Sequence, residues 1–190
     1  MSVRAFYHNS PQGEISLPQD ARPVPPERLQ ALGWQFSMLN GDDIVKQATE
    51  IAQKYGQTKV TDVIRLPVSE PLQNVQTVEE KVIKMVKDQE SKEYYAAGID
   101  RTFLCIDGQA HYDIEDPFEK MWIRVNFTKG LLVYGPGGSH VRLTFGDSES
   151  LDVLVWLKDL PPSEINWVME KGTENHPARL RYLKSLGIEN

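Results

Sequence analysis

One cysteine, four histidines and no extended apolar run: the sequence is poorest in the residues that build disulfides, metal sites and membrane spans. Cys105 has no partner for an intramolecular disulfide, which fits a reducing compartment. Lying in the run Phe103-Leu104-Cys105-Ile106, it reads as a buried small hydrophobe rather than a nucleophile. No apolar stretch approaches the ~20 residues that a membrane helix needs, and MSVRAFYHNSPQGE at the start holds no apolar signal segment. A cytoplasmic protein that does not engage membranes is the expectation. Basic clusters are missing too. With a formal charge of −6, nothing stands ready to neutralise a row of phosphates, which excludes nucleic acid as a partner.

What is present is ordinary globular composition, 40% hydrophobic and 25% charged over 190 residues, enough for a single domain spanning 1–190 with a core or a pocket. VRAFY near the start reads as a strand. Pro25-Pro26 opens a short helix that Gly33 ends. In WQFSML the residues Trp34, Phe36 and Met38 share one face of a strand. Asp43 caps a helix over about 43–55 carrying Ile44, Ala48, Ile51, Ala52 and Tyr55 on one stripe. VTDVIRL is a strand or short helix that Pro67 stops, and Thr77-Val78-Glu79-Glu80 has capping-box spacing before a further helix. From about residue 94 the texture changes. RTFLCI, AHYDI, MWIRVNF, LLVYG, HVRLTF and LDVLVWL succeed one another at roughly ten-residue intervals with turn residues between, the pattern of an antiparallel sandwich or small barrel. INWVMEKG and PARLRYLKSL read as two closing helices.

Two glycine-anchored spacings stand inside this β region. Gly130, five residues, Pro136, Gly137, Gly138, two residues and Val141 make one; Tyr95, Ala97, Arg101 and Gly108 make the other. Together with the PGG turn they resemble the two motifs of a cupin, a mainly β, double-stranded β-helix or jelly-roll-like barrel, here with N- and C-terminal helices. VRAFY, PPERLQALGWQFSML, VEEKVIKM, LCIDGQAHYDIED, WIRVNFTKG and NHPARLRYLKSLG occur in the order in which similar segments occur in acireductone dioxygenases, so the resemblance to that family covers nearly the whole chain. The resemblance implies three histidines and a glutamate holding Fe(II) or Ni(II). Those positions are Tyr95, Ala97, Val141 and Arg101 here. It also implies a substrate-facing arginine where this chain has Phe103. None of the four replacements supplies an ordinary metal ligand, and a guanidinium in place of a carboxylate repels a divalent cation. No metal and no other cofactor is therefore expected.

The histidines offer no substitute. His140 precedes the ligand position by one residue, and on a strand that reverses its face. His111 neighbours Tyr112, which alternation turns inward, and His8 and His176 read as surface or rim residues. An inward Arg101 needs an acid, a carbonyl or an anion beside it. Two readings stand: an internal salt bridge, with Asp152 as its acid, or a substrate carboxylate or carbonyl. Alternation places Tyr95, Ala97, Phe103, Cys105, Tyr112, Val141, Leu143, Asp152, Leu154 and Trp156 around it as the lining of an open, largely apolar cavity. The chemistry expected of such a site is metal-independent, with Arg101 and Tyr95 stabilising developing charge on a small apolar substrate. An isomerisation, a cyclisation (pericyclic chemistry included) or a lyase step in secondary metabolism would suit it. The alternatives are a non-catalytic binding or regulatory relative, and an acireductone dioxygenase with a displaced metal site.

Overall fold

The computed structural model describes residues 3–11, 16, 21–61, 64–67, 94–145, 150–159 and 173–188. The helices expected after Thr77 and over 165–172 lie outside them. The described chain runs β1 (Ala5–His8), β2 (Arg22–Pro23), α1 (Pro26–Ala31), β3 (Gln35–Met38), α2 (Ile44–Lys54), β4 (Lys59–Val60) and β5 (Ile64–Pro67). Then come β6 (Tyr95–Ala96), β7 (Arg101–Asp116), β8 (Met121–Thr128), β9 (Leu131–Gly135), β10 (His140–Thr144), β11 (Ser150–Leu157), a 3₁₀ turn (Thr173–Asn175) and α3 (Pro177–Ser185). The segment after Gly56 is thus strand, and Pro67 pairs with Ser150 at its end.

β7 organises the molecule. Its C-terminal half pairs with β8 and β10, extending through β1 and β2 on one side and β6 on the other. Its N-terminal half pairs with β9 and β11, which continue into β3 and into β4 and β5. Every pairing is antiparallel, and the sheet curls around one strand shared by both halves. The bend sits at Gly108, whose φ of +81° suits glycine, and where a Cβ would come within 2.3 Å of the Ser150 carbonyl oxygen. A register shift against β11 accompanies it. The extra residue changes the inward parity of β7: Phe103 and Cys105 face the interior before the bend, Ala110, Tyr112 and Ile114 after it.

Two apolar clusters separate the inside from the outside of the curl. The inner one joins Trp34, Tyr95, Phe103, Tyr112, Phe127, Val133, Val141 and Leu143 with Leu151, Val153 and Val155. Phe36 and Met38 pack on it, as their alternation with Trp34 predicts. The outer one lies under α2. Asp43 accepts a hydrogen bond from the Lys46 amide at 3.0 Å to start that helix, and Ala48 and Ala52 then press on Leu104, Leu132, Leu154 and Trp156. The Trp156 indole N–H donates to Thr49 Oγ1 at 3.2 Å. Leu154 and Trp156 thus face the helix, not the cavity expected from sequence. The physical reason is that α2 buries the back of β11, so both faces of LDVLVWL are apolar and alternation carries no sign of which is inner.

Candidate active site

Arg101 is the one residue of charged type inside the curl that the sequence singled out, and the structure buries it there, 5% exposed. Its Nη2 donates to the Tyr112 hydroxyl at 2.9 Å. Its guanidinium carbon stands 5.8 Å from the Trp34 ring centre and 5.9 Å from that of Phe103, within cation–π range. Gly135, opposite Arg101 on β9, leaves the room Trp34 needs, since a Cβ there would come 2.5 Å from the indole. Trp34 also meets Tyr112 edge-on at 5.7 Å, and Phe103 meets Tyr112 and Phe127 at 5.3 and 5.2 Å. Sequence reasoning missed Trp34 as a neighbour of Arg101. The WQF alternation gave its strand face, but nothing local gave the strand's place against β9.

The expected salt bridge to Asp152 is not made. Asp152 stands opposite Asp107, whereas Arg101 adjoins the Thr102–Trp156 pair. That is four residues along β11, roughly 14 Å at the rise of a strand. Asp152 acts instead on Cys105, whose thiol burial and the Asp107 and Asp152 carboxylates push up to about 12. Cys105 is fully buried in the inner apolar cluster. Among the described residues no carboxylate forms an ion pair with Arg101, and its Nη1 makes no hydrogen bond while buried. The guanidinium stays protonated at any ordinary pH, so this is a buried charge with one donor edge unspent. Tyr112 accepts from Arg101 and donates no hydrogen bond to another described residue, which leaves its proton for a ligand.

Several other residues expected at the site are buried near this pair. Tyr95 and Val141 are partners across β6 and β10, both turned inward, and Tyr95 lies close enough to influence the charge on Arg101. Ala97 is buried where the chain leaves β6, its carbonyl accepting from the Gly138 amide at 2.8 Å. Phe103 and Leu143 belong to the inner cluster and keep 8% and 9% of their surface exposed.

The residues do not fit a metal. Arg101 brings a cation, Ala97 and Val141 bring no donor atom, and no group of three or more His, Cys, Asp or Glu side chains gathers among the described residues. His140 points to the outer face, its Nδ1 3.0 Å from Glu115 Oε2 and its Nε2 2.7 Å from Thr173 Oγ1. His111 pairs with Asn126 Oδ1 at 3.0 Å on the same outer side. His176 caps α3 by accepting from the Ala178 amide.

His8, expected at the surface, is 1% exposed, a correction with a clear cause. Its Nε2 lies 3.2 Å from Asp113 Oδ2, and Asp113 also accepts from Arg124 Nε and Nη2 at 2.8 and 2.9 Å. This is one part of an ionic layer behind β7. Beyond it Glu115 takes His140 and Arg179, while on the other face, at the end of β7, Asp116 takes Arg28 in two bonds together with the Tyr7 hydroxyl. Burial works against ionising all three acids, but these cationic and hydroxyl partners hold each carboxyl below its ordinary range. A carboxyl whose folded pKa is depressed contributes stability above the unfolded value and loses it as pH falls towards the folded one. The melting temperature is therefore expected to hold down to about pH 5 and to fall steeply below about pH 4. A midpoint unchanged at about pH 3 would contradict these pairings.

No family model matches the chain. It is similar to an acireductone dioxygenase of Branchiostoma floridae, 23% identical over 193 residues and covering 98% of each chain. Acireductone dioxygenase 2 of Physcomitrium patens is 27% identical over 191 residues, covering 95% of this chain and 88% of that one. Among solved structures, an acireductone dioxygenase from Bacillus anthracis with a cadmium ion in its active centre superposes with a TM-score of 0.60 at 14% identity, over 88% of this chain and 98% of that one.

Proposed function

We propose that this chain, similar over nearly its whole length to acireductone dioxygenases, keeps their barrel as a reaction chamber but works there without a metal, on a small apolar molecule bearing a carbonyl or carboxylate. The observation that carries this reading is the unspent donor edge of the buried Arg101. Next to it, the Tyr112 hydroxyl has its own proton to give. Two donors converging on one oxygen stabilise the charge that develops on a carbonyl when it becomes an enolate, and in a water-poor site they do so strongly. Tyr95 borders the same space from β6. The aromatic walls, Trp34 and Phe103 above all, would hold the substrate in one reactive conformation. Isomerisation, ring closure or elimination at the position next to the carbonyl needs no more than this. Secondary metabolism is the setting such chemistry suits.

The resemblance supports the same reading from another side. It implies a substrate-facing cation at position 103 and a metal-binding carboxylate at 101; here the cation stands at 101 and an aromatic ring at 103. By that resemblance the positive charge stands two residues, roughly 7 Å, further along the same face of β7, at a position where the family has a metal ligand.

The test is metal dependence with a defined probe. Phenylpyruvate combines a ring, a carboxylate and a carbonyl, and its enol–keto exchange passes through an enolate. The protein is expected to hold far less than one iron, nickel, manganese or zinc per chain, to accelerate that exchange, and to do so equally after dialysis against a chelator. Stoichiometric metal, or steady oxygen consumption with acireductone, would overturn the proposal.

A further inference from the structure

Outside the barrel, α3 leans over the PGG turn and encloses a groove of about 470 Å³ with the loop before β7. Its walls are fixed by the docking of α3. Arg179 donates to the Gly138 carbonyl at 3.4 Å, and the Tyr182 hydroxyl donates to the Leu32 carbonyl at 3.1 Å. A volume of this size falls in the range of small-molecule sites. Ile99, Pro136 and Tyr134 give the groove a flat apolar side. Tyr134 follows Val133, which turns inward, and lies on the back of β9, where its ring stacks on Tyr55 at 4.2 Å. The groove is therefore separate from Arg101 and its chamber.

The charges in the groove do not cancel. Three ionic side chains line it: Asp100, Lys158 and Arg181. Asp100 is already engaged, accepting from the Gly137 amide at 2.8 Å, and it lies close enough to Tyr134 to push that phenol's pKa up. Lys158 and Arg181 pair with no carboxylate among the described residues. The lining thus combines two cations that no described carboxylate pairs with the apolar surface of Ile99, Pro136 and Tyr134.

We propose that this groove is a second ligand site, which takes a small aromatic anion: its ring lies against Ile99, Pro136 and Tyr134, and its phosphate or carboxylate meets Lys158 and Arg181. Charge-assisted bonds to the guanidinium and ammonium would fix the anion, and the ring would supply the apolar contact that a free ion lacks.

Calorimetric titration of the full chain with phenyl phosphate, benzoate and inorganic phosphate tests this. At least one of the two aromatic anions is expected to bind saturably, and inorganic phosphate about tenfold more weakly or worse. The double variant Lys158→Gln, Arg181→Gln changes exposed side chains and should melt like the parent, yet lose at least about tenfold in affinity. Arg101→Met should leave the affinity of the groove for phenyl phosphate as in the parent. No saturable binding of either aromatic anion, equal binding of inorganic phosphate, or a double variant that binds normally would overturn the proposal. Loss of binding in Arg101→Met alone would place the probes in the barrel, overturning this site while leaving the reading of Arg101 intact.

Discussion

Asp113→Ala is expected to lower the free energy of unfolding by about 3–5 kcal/mol, the scale on which breaking one side of a buried ion pair strands the other. Asp113 and Arg124 are 1% and 2% exposed, and the carboxylate takes two guanidinium N–H bonds while facing His8. The His8 ring is anchored from its other edge, where Nδ1 accepts from the Ser10 amide at 3.2 Å. Removing the carboxylate leaves a buried cation facing an imidazole, behind the strand on which both halves of the sheet depend. Replacing acid and base together, as Asp113→Leu with Arg124→Met, should recover most of the loss, because apolar groups of similar volume avoid the desolvation that the pair had to offset. Denaturant titration reads both. A single variant that loses less than about 1 kcal/mol would mean that water reaches the pair and that the layer is a surface feature.

That layer shows what a sequence hides. His8, Asp113 and Arg124 alternate with apolar neighbours, and such a polar face is ordinarily solvated; the pairing of β1 with β8, more than a hundred residues apart, brings His8 to Asp113, and all three are buried. β11 fails for the opposite reason. Its two faces are equally apolar, so Leu154 and Trp156 could not be told from Val153 and Val155 until α2 was seen to cover one side.

Where pattern and turn chemistry act over a few residues, the sequence was readable. Asp43 and the Ala48–Ala52 stripe set α2, and the glycine-anchored spacings placed Tyr95 and Val141 together, whereas RTFLCI and AHYDI, read as two strands with a turn between, run on as the single strand β7 bent at Gly108. His140 fell on the outer face for the reason of parity alone. In the site itself, Arg101, Phe103 and Tyr112 were legible as inward residues. Their mutual contacts, and the arrival of Trp34, depend on how β3, β9 and the two halves of β7 meet.

The proposal for the barrel rests on Arg101 serving a ligand rather than the fold, and one variant separates the two. In Arg101→Met the apolar chain fills a similar volume, and no paired carboxylate is stranded among the described residues. The Tyr112 hydroxyl loses one donor, a cost of about 1 kcal/mol that relief of a buried charge offsets. The melting temperature should therefore match or exceed the parent's. Binding and turnover of phenylpyruvate should fall by about 2–4 kcal/mol, roughly 30- to 900-fold, the effect of deleting a preorganised charged donor. Measuring both on the same preparation is the most direct test: a protein that melts as the parent but no longer holds the probe is the predicted result, and one that melts early yet converts the probe normally would contradict it.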